Sequence, residues 1–153
     1  MSRSNLVRTF SGDWLNAIVN HRDILDWVRG PLEGPLDLTA LVADPANVVL
    51  ATPLGGFFFH PVGERRWEVH TQFLPAGRDG VLGLAREAAT YMFTKTACDC
   101  IQTRVPETNT AARRLTEAMQ FKHIGPDGTW PIRGRNVPNH LYELTRETWE
   151  QSK

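Results

Sequence analysis

The first apolar run, Leu6 to Phe10, ends at Ser11-Gly12 and reads as a short strand. Asp13 can cap the helix that follows, with Trp14, Ile18, Ile24, Leu25 and Val28 at helical spacing until Gly30-Pro31 stops it. Residues 30–46 are rich in Pro, Gly and Asp and read as loop, with room for one short element between Leu36 and Val42. Three extended runs come next. Asn47 to Thr52 is apolar and β-branched, and Gly55 to Val62 holds Phe57, Phe58 and Phe59. After a turn at Gly63-Glu64, Arg66 to Leu74 alternates, with Trp67, Val69, Thr71 and Phe73 on one face and Glu68, His70, Gln72 and Leu74 on the other. Together the three predict an antiparallel meander.

Pro75 to Gly80 is a turn, and the helix after it runs from about Asp79 to Thr96. Its apolar stripe is Val81, Ala85, Ala88 and Met92, widened by Leu84, Ala89 and Phe93. Asp99 to Val105 is a strand stopped by Pro106, and Asn109 starts a second helix through Met119, with Ala112, Leu115 and Met119 inside. Phe121 to Ile124 is a strand, Asp127-Gly128 a turn, and residues 126–139, with three prolines and two glycines, read as a long loop before a last strand, Asn139 to Thr145. The strand–helix–strand unit from Trp67 to Val105 implies a parallel pair inside an otherwise antiparallel sheet. The fold class is therefore α/β, in the sense of an α+β mixed sheet with helices packed on it.

Composition narrows the function. Lys+Arg 17 balance Asp+Glu 17, whereas general nucleic-acid and membrane-surface binders carry a basic excess, so neither partner is expected. The charge is unevenly spread. Residues 11–46 carry six acids and two bases, about −4, and residues 113–146 six bases and three acids, about +3. That suits an anionic ligand on one side and a cationic one on the other. Cys98 and Cys100 make no disulfide framework, and the five histidines show no close spacing with them, so no metal is expected. Nothing in the sequence approaches a membrane span, and Met-Ser-Arg-Ser-Asn has no apolar signal core behind it, so the expected setting is cytoplasmic.

The turn at Phe73-Leu-Pro-Ala-Gly-Arg-Asp-Gly80 has its own chemistry. A helix N-terminus offers unpaired N–H groups and a partial positive charge, which suits phosphate. Gly77, Gly80 and Gly83 let backbone approach closely, and Arg78 adds a charged donor. Asp79 opposes them.

Three stretches resemble one family. Asn109-Thr-Ala-Ala-Arg-Arg-Leu-Thr-Glu-Ala-Met-Gln-Phe121 resembles the stretch of the Gcn5-related N-acetyltransferases (GNAT) in which an Asn opens the helix after the fifth strand and a Gly-Phe pair follows it. The Phe73–Gly80 turn resembles their pyrophosphate turn, and Cys98 to Asn109 resembles their fifth strand and its exit. Compact GNAT-like proteins of phages and prophages are similar to it. The resemblance implies a GNAT-like fold over 1–153 as one acyltransferase domain: a mixed, mostly antiparallel sheet of about seven strands with helices on both faces. It also implies acetyl-CoA as cosubstrate, no metal, and direct attack by an amine acceptor in a ternary complex. Phe73, Leu74, Gly77, Arg78, Asp79, Gly80, Val81, Asn109 and Arg113 would then meet the cofactor, with backbone N–H near Phe73 and Leu74 facing the oxyanion.

An arriving amine is protonated, with a pKa near ~10.4, so a base is needed. Glu68 and His70 share one face of the strand that carries the base in this family. Departures are plain: Thr116 stands where a Tyr usually meets the leaving thiolate, Gln120 fills the Gly slot, and Arg78 is one residue out of register. Tyr142 is the candidate substitute acid. These departures leave a second reading, a catalytically inactive GNAT-like binding protein, phage-encoded and acting on a host protein or in particle assembly. Trp14, Trp27 and Trp130 are candidates for the acceptor pocket, and Arg133 and Arg135 for an acidic acceptor or the cofactor's 3′-phosphate. Leu141, Tyr142 and Leu144 on the last strand would permit a homodimer.

Overall fold

The computed structural model describes residues 6–152, so the leader expectation for Met1 to Asn5 lies outside the described residues. The elements are β1 (Val7–Arg8), α1 (Gly12–Val19), α2 (Leu25–Val28), α3 (Thr39–Ala43), β2 (Val48–Thr52), β3 (Gly55–Gly63), β4 (Arg66–Phe73), α4 (Val81–Lys95), β5 (Cys100–Pro106), α5 (Thr110–Ala118), β6 (Lys122–Ile132), β7 (Arg135–Thr145) and α6 (Arg146–Gln151). Seven strands form one sheet in the order β1-β2-β3-β4-β5-β7-β6. Every neighbouring pair is antiparallel except β4 and β5, which are parallel, with α4 as the crossover.

Alternation explains the two cores. Successive strand residues point to opposite faces, so Phe57 and Phe59 join Leu50, Val69, Phe73, Ile101 and Leu144 on one face, while Phe58 joins Val49 on the other. The first face receives Ala85, Ala88, Ala89, Met92 and Phe93 of α4 and Trp149 of α6; the alanines let the helix lie close. The second receives Leu15 and Val19 of α1 and Val42 of α3. The Arg146 guanidinium donates to the carbonyl of Phe93, which the last turn of α4 leaves open, and to that of Cys98 in the connection to β5. Among the described residues no helix is long and apolar enough to cross a membrane.

Three expectations change. The helical run after Gly12 breaks at Asn20, and only one turn, α2, re-forms before Gly30; Ser11 rather than Asp13 is the N-cap, and Asp13 sits in the first turn. Residues 126–139 are not a loop but the body of a long β6–β7 hairpin, reversed at Arg133-Gly134, both with positive φ (50° and 78°). Pro126 and Pro131 fit because β6 is a sheet edge, and Gly125 and Gly128 (φ 141° and 73°) mark the register shifts where the strand bulges. Finally, β7 lies between β5 and β6, with Tyr142 and Leu144 4% and 2% exposed, so of the three residues expected to permit a second copy only the half-buried Leu141 has surface left to offer.

The hairpin carries Trp130 to α2. Its indole N–H donates to the Trp27 carbonyl at 2.9 Å, its ring covers Gly30 (φ 58°), and Arg133 reaches Asp26 at 3.3 Å. A methyl group at Gly30 would lie 2.6 Å from the Trp130 ring, whereas Gly34 (φ 76°) has open space around it. Gly34→Ala should cost only the left-handed backbone penalty, about 1 kcal/mol, and Gly30→Ala about 2–4 kcal/mol. At about 2–4 °C per kcal/mol, paired thermal melts resolve the difference. Equal shifts in the two variants would contradict the Trp130 contact.

Candidate active site: a cleft where two parallel strands part

The β4–β5 ladder is short. Arg66, Trp67 and Glu68 pair with Cys100, Ile101 and Gln102, and there the register ends although both strands continue. Beyond it lies an open cleft of about 1740 Å³, lined from both faces of the sheet. That is more than one small ligand fills, by the usual range of about 300–1,000 Å³.

Backbone direction can be read across the gap. Leu74 N–H donates to Leu54 C=O on the β3 side at 2.9 Å, while Val69 C=O accepts from Thr103 Oγ1 on the β5 side at 3.1 Å. In an antiparallel ladder these directions alternate, so Thr71 and Phe73, like Val69, turn their amides toward β5, into the cleft. Of the two expected oxyanion donors, Phe73 is therefore so placed. Leu74 is not, because its N–H is bonded to Leu54.

Where the ladder stops, side chains take over. Glu68 is buried, 5% exposed, and its Oε1 accepts from Gln102 Nε2 and Arg104 Nη1, both at 2.8 Å. Gln102 Oε1 accepts from Arg66, which also pairs with Glu143 on β7. Arg104 passes on to Asp127 on β6 at 2.6 Å. Glu68 Oε2 faces two imidazoles, His70 Nε2 at 3.5 Å and His60 Nε2 at 3.7 Å. The two rings stack with centroids 5.0 Å apart and Nε2 atoms 3.0 Å apart. Burial alone would raise the Glu68 carboxyl, but His60, Gln102, His70 and Arg104 outweigh it and hold it down to about 2. His70 is lowered to about 4, chiefly by desolvation, with Glu68 pulling the other way. It is therefore neutral at pH 7, with 45% of its side chain exposed.

Tyr142 is not brought to this face. Its neighbour Glu143 pairs with Arg66 on the Glu68 side, so Tyr142 points to the opposite face, where its buried ring lies against His123. Thr116 supplies no acid either, since its buried hydroxyl donates to Arg113 C=O at 2.7 Å.

The Gly-rich turn also differs from expectation. Pro75–Gly80 winds as a 3₁₀ helix, and α4 starts at Val81 rather than Asp79. Gly77 N–H donates to Leu74 C=O and Val81 N–H to Arg78 C=O, so these two amides are used by the turn itself. Gly77 is a glycine for packing: a methyl there would meet Leu54 Cβ at 2.7 Å. Gly80 has open space around it, and Arg78, Asp79 and Val81 line the cleft. Asn109 lines it too and caps α5, its Oδ1 accepting from Ala112 N–H at 3.2 Å. Arg113 instead turns back to Glu107 C=O at 3.2 Å, and Arg114 lines the cleft in its place. Trp27 and Trp130 line the cleft on its α2 side, whereas Trp14 is a packing residue bonded to Thr52 C=O. Cys98 and Cys100 are buried thiols pushed up by desolvation, Cys98 to about 11.

His60, Gln102 and Arg104 are site residues that the sequence reading missed. Alternation in Gly55–Val62 puts His60 on the face of Phe58, and folding the hairpin about Glu64-Arg65 makes it the partner of Glu68.

No protein-family model matches the sequence, and no curated protein matches it. Solved structures do. The spermidine N-acetyltransferase of Vibrio cholerae, in complex with CoA and spermine, superposes with a TM-score of 0.79 over 97% of this chain and 99% of that one, at 20% identity. Mutant forms of the spermidine/spermine N-acetyltransferase of Vibrio cholerae give 0.77 over 99% and 100%, at 17% identity. A probable acetyltransferase gives 0.73 over 90% and 89%, at 16% identity. The chain has the GNAT fold. At these identities the likeness is one of fold, and within the GNAT fold the parted strands β4 and β5 are what this chain's own residues turn into a site.

Acid should weaken the fold in two steps. Both groups are depressed in the folded chain, so the unfolded chain binds protons first and stability falls as pH falls. For His70 the loss begins near its ordinary 6.5 and is complete below about 4; for Glu68 it begins near 4.5 and continues toward about 2. Melting temperatures should therefore drop between pH 6.5 and 4, and drop less steeply in His70→Gln. An unchanged slope in that variant would contradict the assignment.

Proposed function

We propose that this chain is an acetyl-CoA-dependent N-acyltransferase acting on an amine borne by a small cationic molecule. The observation that carries the reading is the through-going cleft at the parting of β4 and β5, with a directed backbone amide on one wall and the Glu68 carboxylate and neutral His70 beside it. Supporting it, the superposed spermidine N-acetyltransferase is a CoA and spermine complex. Thioester and phosphates would enter from the α4–α5 side, where Arg78, Asn109 and Arg114 line the cleft. The acceptor would enter from the α2 side, where Asp23, Asp44, Glu68 and Asp127 outnumber Arg29 and Arg104 among the lining residues.

In this reading the ammonium first loses a proton to water in the open cleft, and the neutral amine then attacks the thioester carbonyl, forming the C–N bond. Phe73 N–H meets the oxyanion. His70 takes the proton the nitrogen loses, and Glu68 Oε2, 3.5 Å away, stabilises the imidazolium as it forms. Glu68 itself is a poor base, because its charge is already satisfied by donors. Collapse breaks the C–S bond and releases CoA thiolate, whose thiol pKa of roughly 8.5 lets solvent protonate it without a tyrosine.

One observation favours the second reading, a binding protein without turnover: the 3₁₀ winding of Pro75–Gly80 uses two amides of the expected phosphate turn. The deciding experiment measures thiol release from acetyl-CoA with spermidine as the probe amine. The wild type should turn over, His70→Gln should lose about 10²–10⁴ in kcat, and Arg78→Ala should raise KM for acetyl-CoA with little change in kcat. A wild type whose melting temperature rises with acetyl-CoA but which releases no thiol with any of a panel of amines would establish the binding protein. No shift at all would overturn both uses of the cleft.

A further inference from the structure

The proposed acyl transfer uses Glu68 and His70 but gives His60 no role, and the three side chains together form a donor set of two imidazoles and one carboxylate. His60 is the cross-strand partner of Glu68, and His70 is the partner of Phe58 two residues along, so all three project from one face of β3 and β4. Among the described residues they are the group of three such side chains whose ligand atoms lie within 4.8 Å of one another. Their separations are 3.0 Å between the two Nε2 atoms, 3.5 Å from Glu68 Oε2 to His70, and 3.7 Å from Glu68 Oε2 to His60. A triangle with these sides has a point about 2.0 Å from every corner, which is the usual zinc–nitrogen and zinc–oxygen bond length of about 2.0–2.2 Å.

The geometry points to a binding site for one divalent ion of the zinc type, held by His60 Nε2, His70 Nε2 and Glu68 Oε2. The donors are two imidazoles and one carboxylate, which suits zinc, cobalt or nickel rather than calcium or magnesium. The carboxylate is oriented in advance: Gln102 and Arg104 hold Oε1 and leave Oε2 to the imidazoles. The Arg104 charge is shared with Asp127, so two carboxylates and one guanidinium leave the surroundings negative. In the His60–His70 contact one Nε2 donates to the other, so that proton must move to Nδ1 for both Nε2 atoms to face an ion. All three residues line the cleft, so a coordination position stays open to water or a ligand there.

The site stands on this geometry and not on the transferase reading, but the two share His70 Nε2 and Glu68 Oε2, so a bound ion would block the proposed proton acceptor and inhibit thiol release. The test is a titration of the chelator-treated protein with Co²⁺, read by visible ligand-field absorption, with zinc stoichiometry by equilibrium dialysis. One equivalent of cobalt should bind and be displaced by zinc. His60→Gln and His70→Gln should each weaken uptake at least about tenfold. His123→Gln, at the separate His123–His140 pair, should leave uptake unchanged. Zinc should also shift the ring-proton NMR signals of His60 and His70 in the wild type, a readout that needs no variant. Uptake short of one equivalent in submillimolar metal, wild-type uptake in His60→Gln, or loss in His123→Gln would overturn the site. Failure of thiol release by the chelator-treated protein, with cobalt uptake intact, would count against the transferase and leave the metal site standing.

Discussion

The structure depends on one constraint: two parallel strands that hydrogen-bond over three residue pairs and then part. A ladder that closed fully would use the amides of Thr71 and Phe73 and seal the sheet. Because it stops at Glu68 and Gln102, those amides face a gap. A gap in a sheet is costly, since backbone groups lose partners. The chain limits that cost by bridging the seam with side chains. Thr103 bonds Val69, and a relay from Arg66 through Gln102, Glu68 and Arg104 to Asp127 ties β4, β5 and β6 together. The cleft is thus a braced opening rather than a loose edge.

The brace and the candidate chemistry share Glu68. A buried carboxylate is tolerated when donors satisfy it, and removing one partner leaves a charge uncompensated. The same donors that secure it make it a weak base, which is why the proposed transfer gives the proton to His70. At α2 the constraint is one of charge. The opposite charges of the two ends of the chain are partly spent on each other, as Asp26 meets both Arg29 and Arg133. That contact, with Trp130 over Gly30, sets the wall of the cleft on its α2 side.

Much of this was legible in the sequence wherever it depends on local pattern. Strict alternation in Arg66–Phe73 put Glu68 and His70 opposite Val69 and Phe73, and Asn109 announced the start of α5 by its capping chemistry. What depends on pairing was not legible. His60 meets Glu68 only through the β3–β4 register, which a bulge between Pro61 and Gly63 adjusts. The β6–β7 hairpin was hidden because its prolines and glycines imitate a loop; Pro126 and Pro131 are admissible because β6 is an edge strand, and Pro138 because it lies just past the last β5–β7 pair, Pro106 with Asn139. The facing of Tyr142 depends on which strands flank β7, and the winding of Pro75–Gly80 on Leu54 filling the space beside Gly77.

Amide hydrogen exchange with and without acetyl-CoA tests the parted strands most directly. Exchange at Thr71 and Phe73 should be fast in the free protein and slow when acetyl-CoA is present. Leu74, bonded to Leu54, should be slow in both. Slow exchange at Phe73 in the free protein, or exchange there that acetyl-CoA leaves unchanged, would contradict the open seam.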